Sequence, residues 1–178
     1  KTENELILSS KKNKIELIIL RPALVYGENI KGNLLTLYKW IYKSYPILVL
    51  KNDYFKSFLS IDNFVSALIQ SIKIKNINNE ILLLSDPKPI KLIELLKKIA
   101  RYQNKNLFYF KINKNLLYMI FYLLGKKNTF NNLYLSSSID INRTKKILNW
   151  KPKDNFDESL KKSIEFFIKY QIKNKKNV

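Results

Sequence analysis

Ile15-Glu16-Leu17-Ile18-Ile19-Leu20-Arg21-Pro22-Ala23-Leu24-Val25-Tyr26-Gly27 is the stretch on which the fold turns. Ile15 to Leu20 is almost continuously apolar and too short for a helix, the pattern of a strand covered on both faces. Arg21 to Gly32 then holds Pro22, Gly27 and Gly32, two of the three glycines in the chain, and reads as a long loop where a ligand could approach the backbone. A loop at the end of a buried strand is a binding edge in open α/β sheets. Upstream, Thr2 to Lys12 sets Leu6 and Ile7 among charged residues at helical spacing. Helix, buried strand and long loop in sequence point to an α/β fold.

The same alternation continues downstream. Leu34, Leu37, Trp40 and Ile41 mark a helix from Asn33, which Asn33 itself would cap, and Pro46 ends it before the apolar segment Ile47 to Leu50. Phe58 to Ile61 predicts a short strand, followed by a helix capped by Asp62 with Phe64, Val65, Leu68, Ile69 and Ile72 as its apolar positions. Ile81 to Leu84 and Leu107 to Phe110 read as strands. Ile90 to Arg101 and Asn115 to Leu124 read as helices, the second stopped by Gly125. Asp140 would cap a short helix ending at Trp150 and Pro152. Phe156 to Tyr170 turns Leu160, Ile164 and Phe167 inward, and Lys173 to Val178 is expected to fray. No repeat or low-complexity linker divides the 178 residues, so one unit without an independent second domain is expected.

Composition removes several function classes. The chain has no Cys and no His, which excludes disulfides, thiolate metal sites and the serine-histidine and cysteine-histidine hydrolases. Lys and Arg number 33 against 14 Asp and Glu, a net charge of +19, and such a balance suggests an anionic partner. Only Arg21, Arg101 and Arg143 are arginine, however, and the lysines are scattered beside abundant Asn and Ile. A nucleic-acid-binding domain would cluster arginine with interleaved aromatics, whereas Tyr118, Phe121 and Tyr122 fall in an apolar run. That run, Leu116 to Leu124, is far shorter than the roughly 18 residues of a membrane span. No signal-peptide layout is present, and a cytoplasmic location is expected.

Four ordered segments carry a resemblance. Arg21 to Gly27 resembles RPxxVYG; Lys56-Ser57-Phe58-Leu59-Ser60-Ile61-Asp62 resembles RxFxxVxD; Asp140 to Trp150 with Pro152 resembles DxxKAxxxLGWxP; Phe156 to Ile164 resembles SLxEGLxxTI. These are motifs of the extended short-chain dehydrogenase/reductase superfamily, the NAD-dependent epimerases and dehydratases of nucleotide sugars. Lys31 to Leu35, the connection through Pro87 and the apolar helix look most similar to UDP-hexose 4-epimerases of surface-polysaccharide pathways. Lys1, Glu3, Glu5 and Leu8 fit the spacing that follows the lysine of the family's Tyr-x-x-x-Lys helix. The tyrosine would then lie upstream of Lys1. So would the glycine-rich dinucleotide fingerprint, because no G-x-x-G-x-x-G occurs here. The resemblance implies the C-terminal part of a Rossmann-like NAD(P)-binding fold with its small substrate-binding lobe, inactive by itself, from a protein that pairs as a homodimer.

The implied chemistry removes a hydride from a sugar carbon to NAD and returns it to the other face, while a base takes the hydroxyl proton. A tyrosine near its ordinary pKa of about 10 is too weakly ionised to serve, and a neighbouring lysine ammonium stabilises the phenolate. By resemblance Lys1 is that lysine, catalytic and cofactor-binding; by residue type alone it is a solvated helix lysine. Pro22 would lie under the nicotinamide, or it simply ends a strand. Asn33 would hold the UDP-sugar at a helix mouth, or it is an N-cap without ligand. Lys56 stands where the family has an arginine on the diphosphate, keeping the charge but losing the bidentate fork. Glu28 and Asn149 replace the family's proline and glycine, and Asn149 still tolerates a left-handed backbone. Asp62, Asp140 and Trp150 match the motifs but read as caps and packing. A 4-keto-sugar reductase, a dehydratase and a non-catalytic remnant are the alternatives within the family.

Overall fold

The decisive strand starts later than its apolar run. In the computed structural model, which describes residues 2–51, 54–75, 77, 79–128, 130 and 138–175, helix α1 spans Thr2–Asn13 and strand β1 spans Ile18–Pro22. Lys14 between them takes a left-handed φ of 53°, and the Ile15 N–H donates back to the Ser10 carbonyl at 2.9 Å. Ile15 is therefore spent on ending the helix rather than starting the strand. Pro22 costs no ladder bond at the end of β1, because the next donor, Ala23 N–H, reaches Leu84 O at 2.7 Å.

The expected long loop contains a second strand. β2 (Leu24–Tyr26) runs parallel to β5 (Phe58–Ser60), and β1 runs parallel to β6 (Glu80–Leu84). Leu, Val and Tyr suit a pleated, half-buried surface, and this preference prevails over the flanking Pro22 and Gly27. β3 (Ile47–Leu50) pairs in parallel with β8 (Tyr109–Ile112), two residues later than Leu107 to Phe110. β4 (Phe55–Lys56) pairs antiparallel with β7 (Ile90–Lys91), so Ile90 opens a ladder and not a helix.

The helices follow their apolar spacing with local corrections. α2 (Gly32–Tyr42) buries Leu34, Leu37, Tyr38 and Ile41. Trp40, expected inside, is 45% exposed and lies edge-on to Tyr45. α3 (Ile61–Lys73) is capped by Ser60, whose Oγ accepts the Asn63 N–H at 3.3 Å. Asp62 thus sits inside the first turn, where its charge still favours the helix dipole. α4 (Leu92–Tyr102) buries Leu95, Leu96 and Ile99. α5 (Lys114–Leu123) closes at Gly125, φ 67°, whose N–H donates to Tyr122 O. α6 (Asn142–Ile147) begins after Asp140, whose carboxylate accepts the Asn142 N–H at 2.9 Å, with Ile141 as the N-cap residue itself. Asn149 does take the left-handed conformation, φ 44°. α7 continues as helix from Phe156 to Lys175, through part of the tail expected to fray.

Two apolar clusters result. One joins α2, α4 and α7 through Tyr38, Ile41, Leu96, Ile99, Leu160 and Ile164. The other joins β1, β6, α3 and α6 through Leu82, Leu84, Ala67, Leu148 and Trp150. Among the described residues no helix is long and apolar enough to cross a membrane, and no group of three or more acidic side chains is arranged to hold a metal ion.

Candidate active site

Parallel pairing brings the C-terminal ends of two strand pairs to one edge each: Pro22 beside Leu84, and Tyr26 beside Ser60. The carboxylate of Asp86, two residues past β6, is 4% exposed and gathers these ends. It accepts from Tyr26 Oη at 2.8 Å, Ser60 N–H at 3.0 Å, Ser60 Oγ at 3.3 Å and Asn63 Nδ2 at 2.7 Å. A buried charge is tolerated only when hydrogen-bonded this fully. Asn63 extends the network, donating to Lys153 O at 3.0 Å and accepting Lys153 N–H at 2.9 Å. One acidic residue therefore ties β2, β5, α3 and the segment before α7.

The turn after β2 is held from the opposite side. Ser163 Oγ on α7 donates to Gly27 O at 2.6 Å and accepts from Tyr38 Oη of α2 at 3.2 Å. Glycine at position 27 lets Ile61 pack close, since a Cβ there would lie 2.7 Å from Ile61 Cγ2. A cavity of about 350 Å³ opens at this junction, lined by Gly27, Glu28, Ile61, Asp62, Ser159, Lys162 and Ser163. Lys162, its cation, already pairs with Glu158 at 2.7 Å, which raises the lysine above its usual range.

No protein-family model matches the chain. Over 169 residues it is 26% identical to the UDP-glucose 4-epimerase of Vibrio cholerae, covering 93% of this chain and 51% of that protein. The chain is homologous to a UDP-glucose 4-epimerase. Solved epimerases share its fold: UDP-glucose 4-epimerase of Thermotoga maritima with UDP-glucose at TM-score 0.72 and 19% identity, over 96% of this chain and 52% of that one. UDP-glucuronic acid 4-epimerase of Bacillus cereus with UDP-glucuronic acid and NAD gives 0.73 and 15%, over 94% and 50%. The chain thus spans about half the length of the relatives it matches, with the α/β, Rossmann-like architecture of those enzymes.

In this epimerase homologue Lys1 lies outside the described residues. Pro22 is exposed at the end of β1. Asn33 is half-buried one residue inside α2. It does not cap the helix, because α2 begins at Gly32 after an extended Lys31 that makes no side-chain cap bond. Lys56, on β4 opposite Ile90, is 8% exposed, and burial pushes its ammonium below the usual lysine range. The three stand on separate elements. Trp150 is packed at 2% exposure and donates Nε1–H to Ser66 Oγ at 2.8 Å.

Tyr26 of the RPxxVYG-like segment is not a substitute for an upstream tyrosine. Burial first, then the adjacent Asp86 charge and its hydrogen bond, push the phenol far above its usual range. It is a fixed neutral donor and cannot work as a base. Asp86 and Asn63 are absent from the candidates drawn from the sequence. The signal for Ser60 and Asn63 was present as S-x-x-N at the mouth of an apolar helix, a capping spacing, but nothing local marks Asp86 as their partner.

Proposed function

We propose that these 178 residues are the C-terminal, substrate-binding half of an NAD-dependent UDP-hexose 4-epimerase. In this reading the enzyme works through a 4-keto sugar intermediate in cytoplasmic surface-polysaccharide synthesis. The half alone would bind but not turn over. The observation that carries the reading is the alignment of nearly the whole chain with half of the Vibrio cholerae epimerase. On this reading residues 1–178 combine the end of a Rossmann sheet with the substrate lobe, and the whole protein is a homodimer.

The residues present fit one end of the cofactor. Pro22, exposed where β1 ends, offers a rigid wall without an N–H for the nicotinamide; Lys1 enters the reading through the motif spacing alone, as the lysine that would assist the base. Gly27, Gly32 and Gly125 form no dinucleotide cradle. Bound there, NAD would accept and return the hydride. This chain's own part is to hold the sugar nucleotide. On this reading Lys56, on β4, supplies a positive charge to the diphosphate, as a point charge and not as a bidentate fork. The first turn of α2 at Asn33 offers amide donors to the same anion.

Calorimetric titration with UDP tests the reading. The expected result is a saturable one-to-one heat in the wild-type chain, weakened at least tenfold in Lys56→Met with an unchanged far-ultraviolet spectrum. Equal binding by both proteins would remove Lys56 from the site. Absence of UDP binding by the wild type would remove the substrate-binding role. NAD-dependent epimerisation of UDP-glucose by this chain alone would overturn its proposed incompleteness.

A further inference from the structure

α5 is apolar nearly all round. In its sequence KNLLYMIFYL only Lys114 and Asn115 lack an aliphatic or aromatic side chain. A helix of that composition is ordinarily covered on every side, yet only one side of α5 meets the body. Leu117 is fully buried, and Tyr118 and Phe121 pack on the cluster of α2, α4 and α7, each against Phe130. At 100° per residue Leu116, Met119 and Leu123 lie on the opposite side, and they are 47%, 51% and 76% exposed. Tyr122 and Leu124 are exposed as well, and so is Phe110 on β8, the strand that leads into the helix.

The charge around this side has one sign. Between Glu94 and Asp140 the sequence holds no acidic residue. Lys111 and Lys114 stand at the start of α5 and Lys126 and Lys127 just past its end, all four exposed. Apolar side chains framed by lysines at both ends match an anionic lipid surface, where the apolar side enters the acyl boundary and each lysine meets headgroup charge. At 1.5 Å per residue the helix is roughly 15 Å long, about half the hydrocarbon thickness. It can lie in the interface and cannot cross it.

We propose that α5 seats this protein peripherally on an anionic bilayer, with Leu116, Met119 and Leu123 in the acyl boundary and the four lysines among the headgroups. Charge decides against a second copy. A two-fold axis across α5 sets the lysines of one copy against those of the other in either orientation, and like charges there oppose association. A nucleic-acid backbone would engage the lysines and leave the apolar side in water. Nor is this side an edge of the β1–β6 pair, which belongs to the other apolar cluster.

Co-sedimentation with vesicles is the test. The chain is expected to bind vesicles of phosphatidylglycerol and phosphatidylcholine in equal parts more tightly than phosphatidylcholine alone, by about tenfold or more. The pair Leu116→Ser, Leu123→Ser keeps every charge and should weaken that binding by about tenfold or more. The pair Lys126→Gln, Lys127→Gln keeps the apolar side and should weaken it similarly. All four positions are exposed, so both pairs should keep the circular dichroism of the parent. Leu123→Trp supplies a second readout, a blue-shifted emission on the mixed vesicles alone. Absence of binding to the mixed vesicles, equal binding to the neutral ones, or an unshifted emission overturns the proposal. Binding indifferent to the serine pair overturns it too, leaving only adsorption of a chain of charge +19. A lipid-free dimer in light scattering that the serine pair abolishes overturns it in favour of a second copy.

Discussion

Replacing Asn63 by alanine and by aspartate separates the two tasks of its side chain. The residue is 1% exposed and its side chain makes three hydrogen bonds, one to the Asp86 carboxylate and two with the peptide groups of Lys153. A bond between neutral groups contributes about 1 kcal/mol net and one to a charged group about 1.5–3. Lys153 is exposed and its freed peptide groups return to water, while Asp86 stays buried with one donor fewer. Asn63→Ala is therefore expected to cost about 3–4 kcal/mol. Asn63→Asp puts a carboxylate oxygen where Nδ2 stood, 2.7 Å from Asp86 Oδ1. The two acids cannot both ionise at that distance, so the folded pKa of the pair rises above the unfolded value of about 4. Between these values the folded state binds more protons than the unfolded state, and stability falls as pH rises. Urea unfolding followed by circular dichroism at pH 5 and pH 8 reads both effects. A cost below about 1 kcal/mol for Asn63→Ala, or an Asn63→Asp penalty that does not grow with pH, would refute the network as described.

Three further outcomes are expected. Gly27→Ala forces the new methyl against Ile61 Cγ2 and Cβ, at 2.7 and 3.0 Å, and overpacking of this kind costs about 1–3 kcal/mol; Ile61→Ala in the same chain should recover most of it, as a double-mutant cycle would measure. Trp150→Phe removes the donor to Ser66 Oγ and should lower stability by about 1–2 kcal/mol in denaturant titration. Lys98, 2.7 Å from Asp157, holds that carboxyl below the usual aspartate range, with Tyr102 assisting. The stabilisation is complete above the unfolded pKa of about 4 and is lost as pH falls through the lower folded value. Both side chains are partly solvated, so the effect is small; Lys98→Met should make thermal midpoints less sensitive to acid between pH 4 and 2.

What could be read from sequence divides by the range of the interaction that decides it. Leu95, Leu96 and Ile99, or Leu160, Ile164 and Phe167, are buried as their spacing predicts, because helical periodicity is local and one face meets a core. Trp40 faces out because Tyr38, about 200° round the helix from it, takes the inward place beside Leu34, Leu37 and Ile41, and its hydroxyl finds Ser163 across 125 residues. β2 was hidden by the proline and glycine on either side, and only β5 reveals why Leu24 to Tyr26 extend. Lys56 could be named from the motif, but not its burial, which depends on β7. Asp86 draws donors from residues 26, 60 and 63, and no pattern within a helix turn or a strand encodes such a meeting. The stripe of α3 was legible as apolar positions, and its outward direction, with Val65, Ile69 and Ile72 exposed, was not.

The hydroxyl relay from Tyr38 through Ser163 to Gly27 also sets an order of assembly. Ser163 Oγ and Gly27 O are separated by 136 residues, and contacts of such separation form late because closing the intervening chain costs entropy first. During synthesis the turn after β2 emerges long before α7 exists to hold its carbonyl. The bend that leads from the candidate nicotinamide wall at Pro22 toward Asn33 stays unlatched until α7 leaves the ribosome. A chain cut short before Ser163 would lose the fastening of that bend together with the buried Ile164 and Phe167.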